Sequence, residues 1–335
     1  MRKPILLAVT ALLVLMPTHA GLARDITIEV TPIPLNERDP GQSTIGSLTY
    51  LGGLELNANE WRFGGISGLA VSPDGGQLLA LTDRASWLAF KPVLKGGRLT
   101  GLADSQVRFV RNKDGGKWDK EEQDSEAVAV SPEGYALVSF ERNHRIMRFD
   151  LADPNDVTTA MASKAAPGPA IPGLRYLPNN GGLESLVFLD ANRLLAVTEQ
   201  AEMANGHLSG WLIQDGEAKR LGYRTRHGYV PTDMTLLPNG DVLTVERHFT
   251  LLTGVSARLC IIARDSIEPG AVLECDQIAE LSPPVSVDNM EAIAAYENEA
   301  GETIIFLASD DNFSSWRQRT LLMMFRLDVD VPGSD

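Results

Sequence analysis

A segment of about twenty residues occurs five times in this chain, and that repetition limits the available folds more than any other feature. Residues 64–84 (GGISGLAVSPDGGQLLALTDR) return at 124–142 (DSEAVAVSPEGYALVSFER), 181–200 (GGLESLVFLDANRLLAVTEQ), 231–248 (PTDMTLLPNGDVLTVERH) and 288–311 (DNMEAIAAYENEAGETIIFLASDD). Each copy reads as a small or acidic residue, an alternating apolar strand, a turn, a second apolar strand and a charged end. With Ser67, Glu126, Glu184, Asp233 and Glu291 taken as equivalent, the copies step by 59, 58, 49 and 58 residues. Such a unit cannot bury its apolar faces alone and must stack on its neighbours. The spacing suits one propeller blade with generous loops. The expected fold is therefore all-β, a β-propeller with five visible blades. A degenerate sixth blade within 85–123 or 143–180 stays open.

Residues 25–30 (DITIEV) alternate like a strand, and 32–41 are Pro-rich and polar like a loop. Residues 47–56 (SLTYLGGLEL) form a strand left over before the first repeat, while the last repeat is one strand short. Pairing the two would close the ring and remove both exposed edges. Residues 106–110, 174–177, 218–225 and 275–281 are read as outer strands of the other blades. Residues 161–172 (MASKAAPGPAIP) are a low-complexity excursion, expected as an exposed loop. Trp61, Trp87, Trp211 and Trp316 are expected to pack between blades, with Trp316 a candidate for lining a ligand site.

The first residues, MRK followed by an apolar run over 5–16 and small residues at Thr18, Ala20 and Ala23, have the form of a cleavable export signal. The run is shorter than the roughly 18 apolar residues needed to span a bilayer. The chain thus divides into a signal peptide at 1–23 and one propeller domain at 24–335, exported to the periplasm or beyond. Cys260 and Cys275, the only cysteines, flank a Pro-Gly turn and face each other if the hairpin folds about 267–268. An oxidising compartment permits a disulfide there, with two unpaired thiols as the alternative. The formal charge of −14 argues against nucleic acid and anionic lipid as partners and is compatible with a cation held between carboxylates.

In a blade the first two strands are antiparallel, so the start of one and the end of the next share one end of the ring. Ser67, Glu126, Glu184, Asp233 and Glu291 should surround the channel mouth, with 83–84, 141–142, 199–200, 246–247 and 310–311 farther out and His144 and His248 in the loops beyond. One reading makes these acids and arginines structural, pairing with each other or capping a neighbouring blade. The sharper reading notes that crowded like charges need a cation or a proton. Glu126, Glu184, Asp233 and Glu291 would then hold a hard divalent cation of the Ca²⁺ type, which takes six to eight oxygens. Arg84, Arg142 and Arg247 would grip an oxyanion, and His144 or His248 would move a proton. Other signatures are missing: Ser67 stands in GISG, one residue short of a nucleophile elbow, and no metalloprotease, P-loop or dinucleotide motif occurs.

The strand starts DSEAVAV, GGLESLVF and DNMEAIAAY, and above all the closing ASDDNFSSWRQRTLLMMFRL, resemble the bacterial phytase-like family known for "esterase-like activity of phytase", over residues 46–329. The resemblance implies an exported β-propeller and phosphoester or ester hydrolysis, with Ca²⁺ assistance as in β-propeller phytases. Two departures stand against phytate itself: the chain lacks long Asp- and Lys-rich blocks, and Ser67 replaces the acid of the first repeat. Function must come from the site rather than the fold. The expectation is a hydrolase of a small phosphate ester or other ester at the channel mouth. The alternatives are a non-catalytic propeller binding a ligand or partner on the same face, and a sugar-lactone hydrolase.

Overall fold

The computed structural model describes residues 23–203, 206–252, 254–314 and 316–328. It is a ring of five sheets, antiparallel but for one short parallel pair, with almost no helix. The proposed signal peptide falls almost wholly outside the described residues. The innermost strands are Ile66–Val71, Ser125–Ser131, Leu183–Phe188, Val230–Leu236 and Asn289–Glu297, heading blades 1 to 5. Each pairs with the second strand of its repeat: Leu78–Thr82, Tyr135–Phe140, Arg193–Glu202, Val242–Thr250 and Thr303–Asp310. No sixth blade forms among the described residues. Residues 85–123 supply the two long outer strands of blade 1, and 143–180 supply the third and fourth of blade 2.

The ring closes as the leftover strand required. Leu48–Asn57 runs antiparallel to Thr320–Leu327, making the fourth strand of blade 5 from the N-terminal side of the chain. The strand expected at 25–30 is split: Arg24–Asp25 joins the outer strand of blade 1 and Glu29–Ile33 joins Leu48–Asn57. One short stretch thus ties both sides of the seam. Residues 174–177 are not a strand. Leu174–Tyr176 is a 3₁₀ turn, and the outer strand of blade 2 is the pair Ala166–Pro167. The excursion at 161–172 is therefore anchored rather than free, with Met161 and Ala165 buried in the cluster between blades 1 and 2 and Ile171 in that between blades 2 and 3.

Apolar clusters fill every gap between neighbouring blades, which is why central strands such as Leu78–Thr82 are buried on both faces. Trp87 sits edge-on to Phe149 at 5.7 Å between blades 1 and 2, and Trp211 is buried between blades 2 and 3. Trp61 and Trp316 do not pack between blades; they are 64% and 76% exposed on loops at the charged end of the ring. Cys260 and Cys275 form a disulfide, their Cα atoms 5.4 Å apart. The connection between them is no simple hairpin, because Val272–Leu273 leaves to run parallel with Glu217–Tyr223 of blade 3. No helix of the described residues is long and apolar enough to cross a membrane.

Candidate functional site

Every innermost strand breaks register once, near its start. The break leaves Ser67 unpaired between Ile66 and Gly68, Glu184 between Leu183 and Ser185, and Glu291 between Met290 and Ala292. In blade 2 it falls at Glu126 and Ala127, opposite Ser139. A bulge re-aims a side chain that regular pairing would point elsewhere. In blade 4 the extra residue is Thr232, not Asp233. The equivalent positions are therefore Ser67, Glu126, Glu184, Thr232 and Glu291, a one-residue correction to the repeat.

The correction removes Asp233 from the metal-ligand set. Thr232 Oγ1 donates to the Met290 carbonyl at 2.9 Å, as Ser67 Oγ donates to the Ser125 carbonyl at 2.7 Å. In each case a hydroxyl on the bulge ties one blade to the next. Asp233 has no exposed surface, and its two carboxyl oxygens accept the Met234 and Ile293 backbone N–H groups, both at 2.8 Å. It caps the neighbouring blade, the structural role weighed for such acids. Asp233→Ala should accordingly cost about 1–3 kcal/mol through two stranded amides yet leave cation affinity unchanged. Urea unfolding beside a Ca²⁺ titration checks this, and a lost cation site would return Asp233 to the ligand set.

The same shift applies to the second strand. Thr82, Phe140, Thr198, Glu246 and Ser309 are in register, so the next residues are Asp83, Glu141, Glu199, Arg247 and Asp310. Four carboxylates and one guanidinium thus surround the three glutamates. Arg247 Nη2 donates to Glu199 Oε1 at 2.7 Å, and its Nε lies 3.5 Å from Glu291 Oε1. Glu246 faces away from the mouth. It is fully buried, accepts the Tyr223 hydroxyl at 2.7 Å and is paired with Arg258.

The crowding shows in the acidities. Burial, then the neighbouring Glu141, Asp124, Asp83 and Glu291, holds Glu126 well above the usual carboxylate range. Glu184 is raised by burial and by Glu126, Glu199, Glu141 and Glu291, and Glu291 by burial and by Asp310. Burial also lifts Asp83 to about 8, Glu141 to about 7 and Asp310 to about 6. Glu141 lies within hydrogen-bonding reach of Glu184, and Asp310 of Glu291, so each pair can share a proton. Seven carboxylates stand here around one guanidinium, and protons or a cation must balance the excess.

The residues fit a hard cation. Asp124, Glu126 and Glu141 each offer an oxygen, all within 4.8 Å of one another. Calcium ligands about 2.3–2.6 Å from one ion fall within that spacing, and an all-oxygen set selects hard ions over soft ones. Asp83 Oδ1 is buried with no hydrogen-bond partner, an acceptor still to be satisfied. The other compact group, Glu246 with Cys260 and Cys275, is no metal site because the sulfurs are bonded to each other.

Residues 61–313 match the family model described as phytase-like, "esterase-like activity of phytase". The chain belongs to that family. No curated protein matches it in sequence. Among solved structures it is similar to one provisionally assigned as a gluconolactonase (10% identity, 88% of this chain and 92% of the other, TM-score 0.44). It is also similar to an α-L-arabinofuranosidase from Podospora anserina solved with cellotriose (10%, 84% and 96%, 0.49). A third is the β-propeller domain of Cps50 (Swd1) from Myceliophteria thermophila (12%, 90% and 99%, 0.37).

In this phytase-like propeller the remaining candidates lie at the rim. Arg142 is bonded through Nε to Asp124 Oδ2 at 2.6 Å, and Arg84 lies over the Phe313 ring at 3.5 Å. The corrected register puts His248, not Arg247, level with Arg84 and Arg142; it stacks on Tyr229 at 5.1 Å. His144 is buried. Its Nε2 donates to the Pro178 carbonyl at 2.9 Å, and its Nδ1 is buried with no hydrogen-bond partner. A Cβ on Gly182 would come within 2.7 Å of that Nδ1 and 3.0 Å of Glu141 Oε1, so a side chain there would crowd both groups. Asp124, part of the compact oxygen group, was not among the residues singled out in the sequence. Its signal was the acid opening the second repeat, where the first and third open with glycine.

Proposed function

We propose that this phytase-like propeller is an exported, cation-assisted hydrolase of a small phosphate ester or other anionic ester, acting at the charged mouth of the ring. One observation carries the reading: Asp83, Glu126, Glu141, Glu184, Glu199, Glu291 and Asp310 crowd one axis with Arg247 as the sole guanidinium in the same two rings. Asp124, Glu126 and Glu141 would hold the ion. A bound divalent cation supplies a Lewis acid and lowers the pKa of a coordinated water. The chain's own contribution is charge and position. Arg142 and Arg84 at the rim would orient the substrate's oxyanion, since guanidinium forks match planar oxygens. Asp83, outside the ligand trio and lifted to about 8 by burial, suits giving or taking a proton near pH 7.

The test is metal analysis of the purified protein, followed by assays of phosphomonoesters, acyl esters and lactones with chelator and with Ca²⁺ restored. Hydrolysis that chelation abolishes and Ca²⁺ returns is expected, with phosphate esters preferred. Turnover confined to lactones would move the assignment to the sugar-lactone alternative. Bound metal with no turnover of any ester would leave a ligand-binding propeller.

A further inference from the structure

Beside the mouth the local charge is opposite to that of the protein as a whole. Between blades 1 and 2 a cavity of about 560 Å³ opens next to the axial acids. Arg84, Lys117, Lys120 and Arg142 line it against two carboxylates, Asp83 and Asp124, in a chain whose formal charge is −14. With four cationic side chains against two carboxylates, the concave wall carries a local cationic excess, which favours anions that the acidic body repels.

The rest of the wall is aromatic. Trp61 leans on Phe109 with ring centroids 5.7 Å apart and is otherwise largely uncovered. Trp118 is fixed by Phe140 at 5.2 Å and by Arg145 over its ring at 4.4 Å. Its indole N–H is buried with no acceptor, and Asp83 Oδ1 in the same cleft is buried with no donor. Unmet groups of this kind are rare, because each loses its hydration without recompense. Asp124 belongs both to this cleft and to the cation trio, so the cleft leads onto the reacting centre.

We infer that the cleft is a specificity site for a phosphate monoester that carries an aromatic ring. The ring lies along Trp61 and Trp118, and the phosphate points inward to Arg84 and Arg142. The inference rests on the hydrolytic reading for the fate of the ester, while ring recognition stands on the cleft alone.

Phenylphosphonate and methylphosphonate, two non-hydrolysable probes of equal charge, separate ring from phosphate in calorimetric titrations with and without Ca²⁺. Phenylphosphonate should bind about tenfold more tightly, from two ring contacts. Trp61→Ala, at a mostly exposed position that tolerates truncation, should erase that preference and leave methylphosphonate affinity within about twofold. Lys120→Ala should weaken both probes alike, by about threefold. Equal binding of the two probes, no binding of either, or equal losses on Trp61→Ala would each overturn the cleft's role. Turnover of esters with no preference for aryl alcohols would do the same and leave the hydrolase reading intact. A ring preference in a protein that binds no cation and cleaves no ester would remove only the hydrolase reading.

Discussion

Arg247→Met should lower stability by about 3 kcal/mol at pH 8, several times the loss from Arg142→Met. The two arginines look alike in the sequence, each following a glutamate at the end of a repeat. Their surroundings differ. Arg142 is half exposed and makes one bond to Asp124, a rim pair of the class worth about 0–1 kcal/mol. Arg247 is about a quarter exposed and stands between Glu199 and Glu291, which are themselves largely covered. Deleting it leaves both carboxylates facing each other and the rest of the ring. Breaking a fully buried pair costs about 3–5 kcal/mol, and partial access to water places this case at the lower end. Lowering the pH to about 5 should recover much of the loss, because neighbouring carboxylates then take up protons and the repulsion falls. Urea unfolding of both variants at the two pH values decides the matter. Equal losses for the two, or a pH-independent loss for Arg247→Met, would mean that the guanidinium does not balance the axial charge.

The architecture was legible because its cause is repetitive. Five apolar strand pairs at one period allow little besides a ring, and an unpaired strand at one end of the chain answers a missing one at the other. What escaped was register. A repeat aligned by charge type put Asp233 and Glu246 level with the other acids, and both lie one residue from the true equivalents, Thr232 and Arg247. In a strand, one residue moves a side chain from one face to the other. Asp233 therefore caps blade 5 and Glu246 pairs with Arg258, while Arg247 enters the acid ring. Nothing in the letters PTDM announces that the bulge falls on the threonine, since the bulge is set by pairing with residues on another strand. The cleft escaped for a similar reason. Trp61 precedes the first repeat and Trp118 the second, and only blade packing sets them on one wall.

Without a bound cation, stability should fall by several kcal/mol between about pH 4 and pH 8. Burial raises Asp83 to about 8, Glu141 to about 7 and Asp310 to about 6, and holds Glu126, Glu184 and Glu291 well above their ordinary range. In the unfolded chain the same groups titrate near pH 4. Across the window the folded protein therefore holds protons that the unfolded chain has released. Their contribution is complete below about pH 4 and disappears as the pH climbs through the folded values. A divalent cation reverses the trend, because carboxylates must shed their protons to ligate it. Ca²⁺ should thus stabilise the protein more at pH 8 than at pH 5, by about 4 kcal/mol at a thousandfold excess over Kd. Binding near pH 6.5 should release protons, which calorimetry in buffers of different ionisation enthalpy would count. A chelated protein as stable at pH 8 as at pH 5, or Ca²⁺ binding with no proton release, would mean that the axial carboxylates are already charged and balanced, with no ion needed among them.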